Sequence, residues 1–227
     1  MTGPSSSFAQ TWACFQALDS LLLLPDTLES AWTRGRTQYL AFLVRVEDAA
    51  ARRHISRIID RIRGLPGVEP YPQSYWHITI KGVGFEVLDP SSADEVSPAG
   101  AERIAAAARF LLASQPAFQV ELGLPNGFPQ VVFLEALDGR HVRSLNTRLL
   151  EVPELIRYPI DGPVFLPHIS IARFSSNESL ARLQAALAAL REEGPGPSFR
   201  VSHVQLIRAR LSDEAPTLQV IADYPLG

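Results

Sequence analysis

The sequence predicts an α+β fold of two lobes of similar build. Each is a small, largely antiparallel sheet backed by helices, and the two face each other across a central cleft. Three observations lead there. First, Tyr75-Trp76-His77-Ile78-Thr79-Ile80-Lys81-Gly82 and Pro167-His168-Ile169-Ser170-Ile171-Ala172-Arg173 are β-branched runs bounded by Gly or Pro, and they read as strands. Second, Phe42-Leu43 and Phe133-Leu134 lie in apolar runs that end in acidic residues, and each pair starts 35 residues before a histidine of those strands. Third, a helical stretch separates each apolar run from its histidine strand. Two copies at so long a period do not make a solenoid.

Taken in order, residues 1–36 form an N-terminal extension and residues 37–227 a single bilobal domain. Residues 1–7 are small and polar and are expected to fray. Trp12, Phe15, Leu18 and Leu22 recur at near-helical spacing, and Pro25-Asp26 separates two short helices, Leu28 and Trp32 belonging to the second. This extension is read as packing on the body of the domain. Tyr39–Val46 is a strand. Asp48 starts a helix running to about Arg63, with Ile55, Ile58, Ile59 and Ile62 on one side and five arginines mostly on the other. Residues 89–98 read as a surface loop and Ala99–Ser114 as a helix stopped by Pro116. Phe118–Leu124 and Gln130–Ala136 are strands around the turn signal Pro125-Asn126-Gly127-Phe128-Pro129. A helix over 139–151 and a proline-broken loop, Pro153–Pro167, lead to the second histidine strand. Ser176 or Asn177 caps a helix to about Arg191, and Arg200–Arg208 and Leu218–Ala222 close the fold.

A strand alternates its side chains between two faces. Ile78 and Ile80 then point into a core while His77, Thr79 and Lys81 share the other face; Ile169 and Ile171 point inward while His168 and Ser170 face out. Two imidazoles can supply one base and one acid near neutral pH, and the two hydroxyls can donate to phosphate oxygens as charge builds there. That is the equipment of phosphodiester cleavage, and the scheme needs no metal or other cofactor. His77 and His168 are the candidate catalytic pair; Thr79 and Ser170 are candidate phosphate donors. Lys81, the single lysine beside twenty arginines, falls by alternation on the face of His77. Arg173 falls off the face of His168, so a twist or bulge is needed to bring it into a site. His203 lacks a hydroxyl two residues on and reads as structural or surface; His54 and His141 carry no signal.

The two motifs resemble the paired H-x-[T/S]-x signatures of the two-histidine (2H) phosphoesterase superfamily, and within it the bacterial 2′-5′ RNA ligase / cyclic phosphodiesterase-like group. The first motif of that family, H-x-T-x-x-F-x-G, falls on His77 to Gly84, and the second, P-H-x-T-x-A-R, on Pro167 to Arg173. The stretch from Leu124 to Leu134 is similar to the family's central strand region. The resemblance spans residues 38–210 and leaves the first 36 uncovered. Gly82 stands where the first motif carries an aromatic residue, so a base-stacking contact is lost there or supplied by Phe85 or Phe133. The resemblance implies a bilobal 2H phosphoesterase-like fold. It also implies hydrolysis of a 2′,3′-cyclic phosphate on a nucleotide or RNA end, reversible as 2′-5′ ligation, with Lys81 and Arg173 on the substrate. The alternatives are another small phosphodiester, such as an ADP-ribose cyclic phosphate or an oligoadenylate, or a non-catalytic binder of RNA ends.

Composition bounds these readings. The 227 residues carry a net charge of −3, against a general nucleic-acid coat or a long duplex and in favour of a small nucleotide or RNA end as partner. One cysteine, Cys14, permits no internal disulfide, and the expected setting is cytoplasmic. The apolar run at residues 21–24 is far too short to span a bilayer. The five histidines have no Cys or His neighbours at metal-ligand spacing. The chain reads as a monomer.

Overall fold

The computed structural model describes residues 7–23, 32–211 and 216–227. The expected turn at Pro25-Asp26 lies outside the described residues, as do residues 1–6, which were expected to fray. The helices are α1 (Phe8–Gln16), α2 (Ala49–Ile62), α3 (Pro98–Leu112), α4 (His141–Leu149) and α5 (Leu180–Arg191). The strands are β1 (Gln38–Arg45), β2 (Val68–Pro70), β3 (His77–Glu86), β4 (Glu95–Val96), β5 (Phe118–Phe128), β6 (Val131–Leu137), β7 (His168–Phe174), β8 (Ser198–Val201), β9 (His203–Arg210) and β10 (Thr217–Pro225).

Eight strands lie in the order β10-β9-β1-β3-β7-β6-β5-β8, every neighbour antiparallel, with β2 added beside β7 and β4 parallel to β3. Four strands lie on each side of the β3–β7 junction. Each histidine strand is central and is backed by the strand that carries the Phe-Leu pair. The halves join through one registered pair, Ile78 with Ile169. Ser202 alone links β8, at one edge, to β9, at the second position from the other. In a flat sheet those strands would stand about 29 Å apart, six spacings of nearly 5 Å each, which one residue cannot cross. The sheet therefore curls until its ends approach, and its concave face forms a trough.

Helices α2 to α5 cover the convex face and interlock the halves, whereas α1 packs on β5 from the concave side. Helix α2 leaves β1 yet packs with α5 beneath β7 and β5, whereas α4 leaves β6 and packs with α3 beneath β3 and β10. One continuous core results, containing Ile55, Ile58, Ile59 and Ile62 of α2. Asp48 caps that helix, accepting from the backbone N–H groups of Ala50 and Ala51 at 2.9 and 2.8 Å. Ser97 caps α3 with Pro98 in its first turn.

Three sequence expectations change. The turn signal at 125–129 does not turn: β5 runs through it to Phe128, and Pro129-Gln130 make the turn. Asn126 is instead buried, its side chain holding the Phe8 carbonyl and Glu135, and Gly127 lies under the Phe15 ring, which leaves no room for a Cβ. Asn177 does not cap α5; its side chain accepts from the Leu21 N–H at 2.5 Å. The expected strand 200–208 is two strands that belong to opposite halves.

Candidate active site

Both histidine strands carry the same fault in their pairing. Between β1 and β3 the register skips Ile80, since Phe42 pairs with Lys81 and Leu43 with Thr79. Between β6 and β7 it skips Ile171, since Val132 pairs with Ala172 and Phe133 with Ser170. Each is a β-bulge, and a bulge reverses the facing of every residue beyond it. Alternation therefore holds for His77, Thr79, His168 and Ser170 and then flips. Lys81 and Ala172 turn away from the trough, and Gly82 and Arg173 turn into it.

This corrects the reading of Lys81 and supplies the bulge that Arg173 required. Lys81, expected beside a substrate phosphate, is fully buried under the site, its Nζ 2.9 Å from Asp161 Oδ2 and 2.7 Å from the Gly82 carbonyl. Arg173, which alternation had turned away, lines the same cavity as His77 and Thr79, while its guanidinium pairs with Glu69 at 2.8 Å. The equal spacing of Phe42 and Phe133 was also off by one. Leu43 is the true counterpart of Phe133, and Phe42 faces the core.

From the pair Ile78–Ile169, one step along each strand sets His77 across from Ser170 and Thr79 across from His168. The four side chains thus form a quadrilateral on the concave face, with the imidazoles on one diagonal, their residues on the order of 7–8 Å apart and their Cβ atoms somewhat closer. Each ring is tied back the same way. Nδ1 of His77 donates to the Tyr75 carbonyl, and Nδ1 of His168 donates to the Leu166 carbonyl at 2.7 Å. A carbonyl can only accept, so Nδ1 keeps its proton and Nε2 is the atom that titrates. Neither Nε2 nor either hydroxyl has a hydrogen-bond partner among the described residues.

Burial pushes His77 down to about 4, with repulsion from His168 and Arg45 adding to it and the Tyr75 carbonyl opposing. Burial also lowers His168, against the pull of the Leu166 carbonyl. Arg45 went unnoticed in the sequence. It stands directly across β1 from His77, donates to the Leu218 carbonyl at 2.7 Å, and leaves its Nε buried without a partner among the described residues. Its position on the outer of two paired strands is visible only through the register.

Two cavities flank the quadrilateral. One, of about 590 Å³, contains His77, Thr79 and Arg173 and is ringed by Tyr39, Tyr71, Tyr75 and Tyr158. The other, of about 570 Å³, contains His168. Ile160 and Phe165 line both and form the saddle between them. The aromatic residue absent at Gly82 is not replaced by Phe85 or Phe133, which are wholly buried. A Cβ at Gly82 would lie 2.5 Å from the Tyr39 hydroxyl and 3.5 Å from the Tyr158 ring, so these two rings take the space. Phe133 packs instead on the His168 ring, centroids 5.1 Å apart.

The saddle belongs to the proline-broken loop, and its anchor is the buried pair beneath it. Asp161 accepts from Lys81, from Asn146 Nδ2 at 2.8 Å and from the Tyr158 N–H at 2.7 Å; Asn146 also reaches the Ile80 carbonyl at 2.8 Å. A buried lysine demands a carboxylate, yet nothing along the chain singles out Asp161 among its 24 acidic residues. His203 lies at the surface, 3.7 Å from Asp223. Among the described residues there is no His/Cys/Asp/Glu group suited to a metal ion, and no helix is long and apolar enough to cross a membrane.

The family model described as the 2′-5′ RNA ligase superfamily matches residues 46–213. Escherichia coli LigT complexed with 3′-AMP is similar in structure at a TM-score of 0.60 and 16% identity, over 84% of this chain and 98% of that one. A Thermus thermophilus protein gives 0.55 and 17%, over 83% and 97%. A conserved protein of unknown function from Agrobacterium tumefaciens gives 0.61 and 17%, over 82% and 85%. These likenesses carry the fold. No curated protein matches the chain.

Proposed function

From the premise that the chain belongs to the 2′-5′ RNA ligase superfamily, we propose that it opens a 2′,3′-cyclic phosphate on a nucleotide or RNA end by acid–base catalysis between His77 and His168. One observation carries this reading: two imidazoles on a diagonal, each with Nδ1 fixed to a carbonyl and Nε2 left for chemistry, with a hydroxyl across from each. His77, pushed down to about 4 by burial, is assigned as the base that takes a proton from the attacking water. His168 is the acid that protonates the departing ribose oxygen. Thr79 and Ser170 donate to the non-bridging oxygens as charge accumulates. Arg173 adds a cation at the same wall, and Arg45 stands behind His77. Lys81 acts at one remove, by fixing the loop that forms the saddle. With a ribose hydroxyl in place of water as the attacking group, the same ring opening joins two RNA ends.

Structures of LigT with 3′-AMP, ATP and NADP+ are in keeping with a small nucleotide in this trough. The two imidazoles suffice for the reaction, so turnover is expected in EDTA. The test is hydrolysis of nucleoside 2′,3′-cyclic phosphates by the wild type, His77→Ala and His168→Ala. Each substitution is expected to lower kcat by about 10²–10⁴ with folding retained. Wild-type binding without any turnover would overturn the proposal.

A further inference from the structure

We propose that α1 builds a second nucleoside subsite on the His168 side of the saddle, used when the phosphate joins two nucleosides rather than closing on one ribose. This rests on the reading of His77 and His168 as the reacting pair. The cavity at His168 is walled by Cys14, Ala17 and Leu18 from the end of α1 and the turn after it, and by Phe128 and Phe165 from the body. Its volume of about 570 Å³ is within the 300–1,000 Å³ typical of ligand sites. Apart from His168, Thr11 and Cys14 the lining is apolar and includes phenylalanine rings, so its occupant is uncharged and ring-like. Phe128 stands edge-on to the His168 ring at 5.2 Å between centroids, which places an aromatic surface next to the reacting imidazole. A nucleobase joined to the phosphate through its ribose meets both conditions. The tyrosine-ringed cavity with Arg173 takes the other nucleoside.

The wall is a fixed part of the molecule. Phe15 is buried against Gly127, Gln184 Nε2 donates to the Phe15 carbonyl at 2.9 Å, and the Arg191 guanidinium lies 4.5 Å over the Trp12 ring. Helix α1 lies outside residues 46–213, the span matched to the family.

Cys14 and Ala17 face the cavity from exposed positions, so filling them leaves the core intact. The test is titration calorimetry of the wild type, Cys14→Trp and Ala17→Trp with adenylyl(2′→5′)adenosine and with adenosine 2′-monophosphate. Thermal melts accompany the titrations to verify folding. The dinucleoside monophosphate is expected to bind the wild type roughly tenfold more tightly than the mononucleotide, within the range for stacking one base. In both variants that ratio should fall to within about twofold, while mononucleotide affinity holds. Equal affinities in the wild type, or an unchanged ratio in both variants, would overturn the subsite. Hydrolysis of cyclic phosphates, measured in parallel, judges the reaction separately. Its absence would remove the proposed chemistry while the affinity ratio still decides the cavity.

Discussion

Replacing Lys81 with methionine isolates the anchor of the saddle. The pair is out of water on both sides: the lysine side chain is 0% exposed and that of Asp161 2%. Burial pulls the lysine below its ordinary range, and the Asp161 carboxylate opposes that. Methionine fills much of the same volume but leaves the Asp161 charge with only Asn146 Nδ2 and the Tyr158 N–H. Removing one partner of such a pair costs about 3–5 kcal/mol, because the survivor's desolvation is no longer offset. For a chain of this size that is a Tm lower by roughly 6–20 °C. The assay is urea unfolding followed by tryptophan fluorescence. The double variant Lys81→Met/Asp161→Asn should recover most of the loss, since a neutral amide still accepts from Tyr158. A loss below about 1 kcal/mol, or a double variant no better than the single, would refute the account of Lys81 as an anchor.

Other outcomes follow from the site and from α1. The base must be unprotonated, so kcat/KM should rise through about pH 4; the acid must be protonated, so it should fall above the lowered value of His168. The bell is then centred on the acid side of pH 6.5, and an optimum above pH 7.5 would contradict the roles given. Stability should also fall between about pH 6.5 and 4, because the unfolded chain protonates these imidazoles first; a denaturation series across that window reads it. Thr79→Val and Ser170→Ala should each lower kcat by about 10–10³ with little change in melting temperature, checked by steady-state kinetics. Gly127→Ala drives a methyl into the Phe15 ring and should lower stability by about 1–3 kcal/mol; an unchanged melt would show that α1 yields easily.

Much of the site was legible because it depends on alternation, and alternation holds through the first three residues of each motif. His77 and Thr79, and His168 and Ser170, were readable for that reason. What followed the bulges was not. Nothing in Ile80-Lys81 or Ile171-Ala172 announces a skipped residue, since a bulge is a property of two strands and the sequence displays one. Arg45 was hidden for the same reason. Helix α2 was readable from its isoleucines, but its packing beneath the opposite half was not, because periodicity gives a face without a partner. Asn126-Gly127 misled because the residues that favour turns also serve where a buried amide must bridge neighbours or where a ring crosses the backbone. The contacts of α1 depend on Phe15, Asn126 and Gln184, which lie far apart along the chain.

The placement of β9 has a consequence for how the chain assembles during synthesis. Strand β1 is flanked by β3 on one side and β9 on the other, so one of its edges stays open until residues 203–210 have left the ribosome. The meander β5-β6-β7 emerges earlier and holds its own hydrogen-bonding partners. Both motif strands can therefore complete their pairing once β7 has emerged beside β3 and β6, while the outer edge of β1 still waits. During that interval the bare edge of β1 invites pairing with other nascent chains.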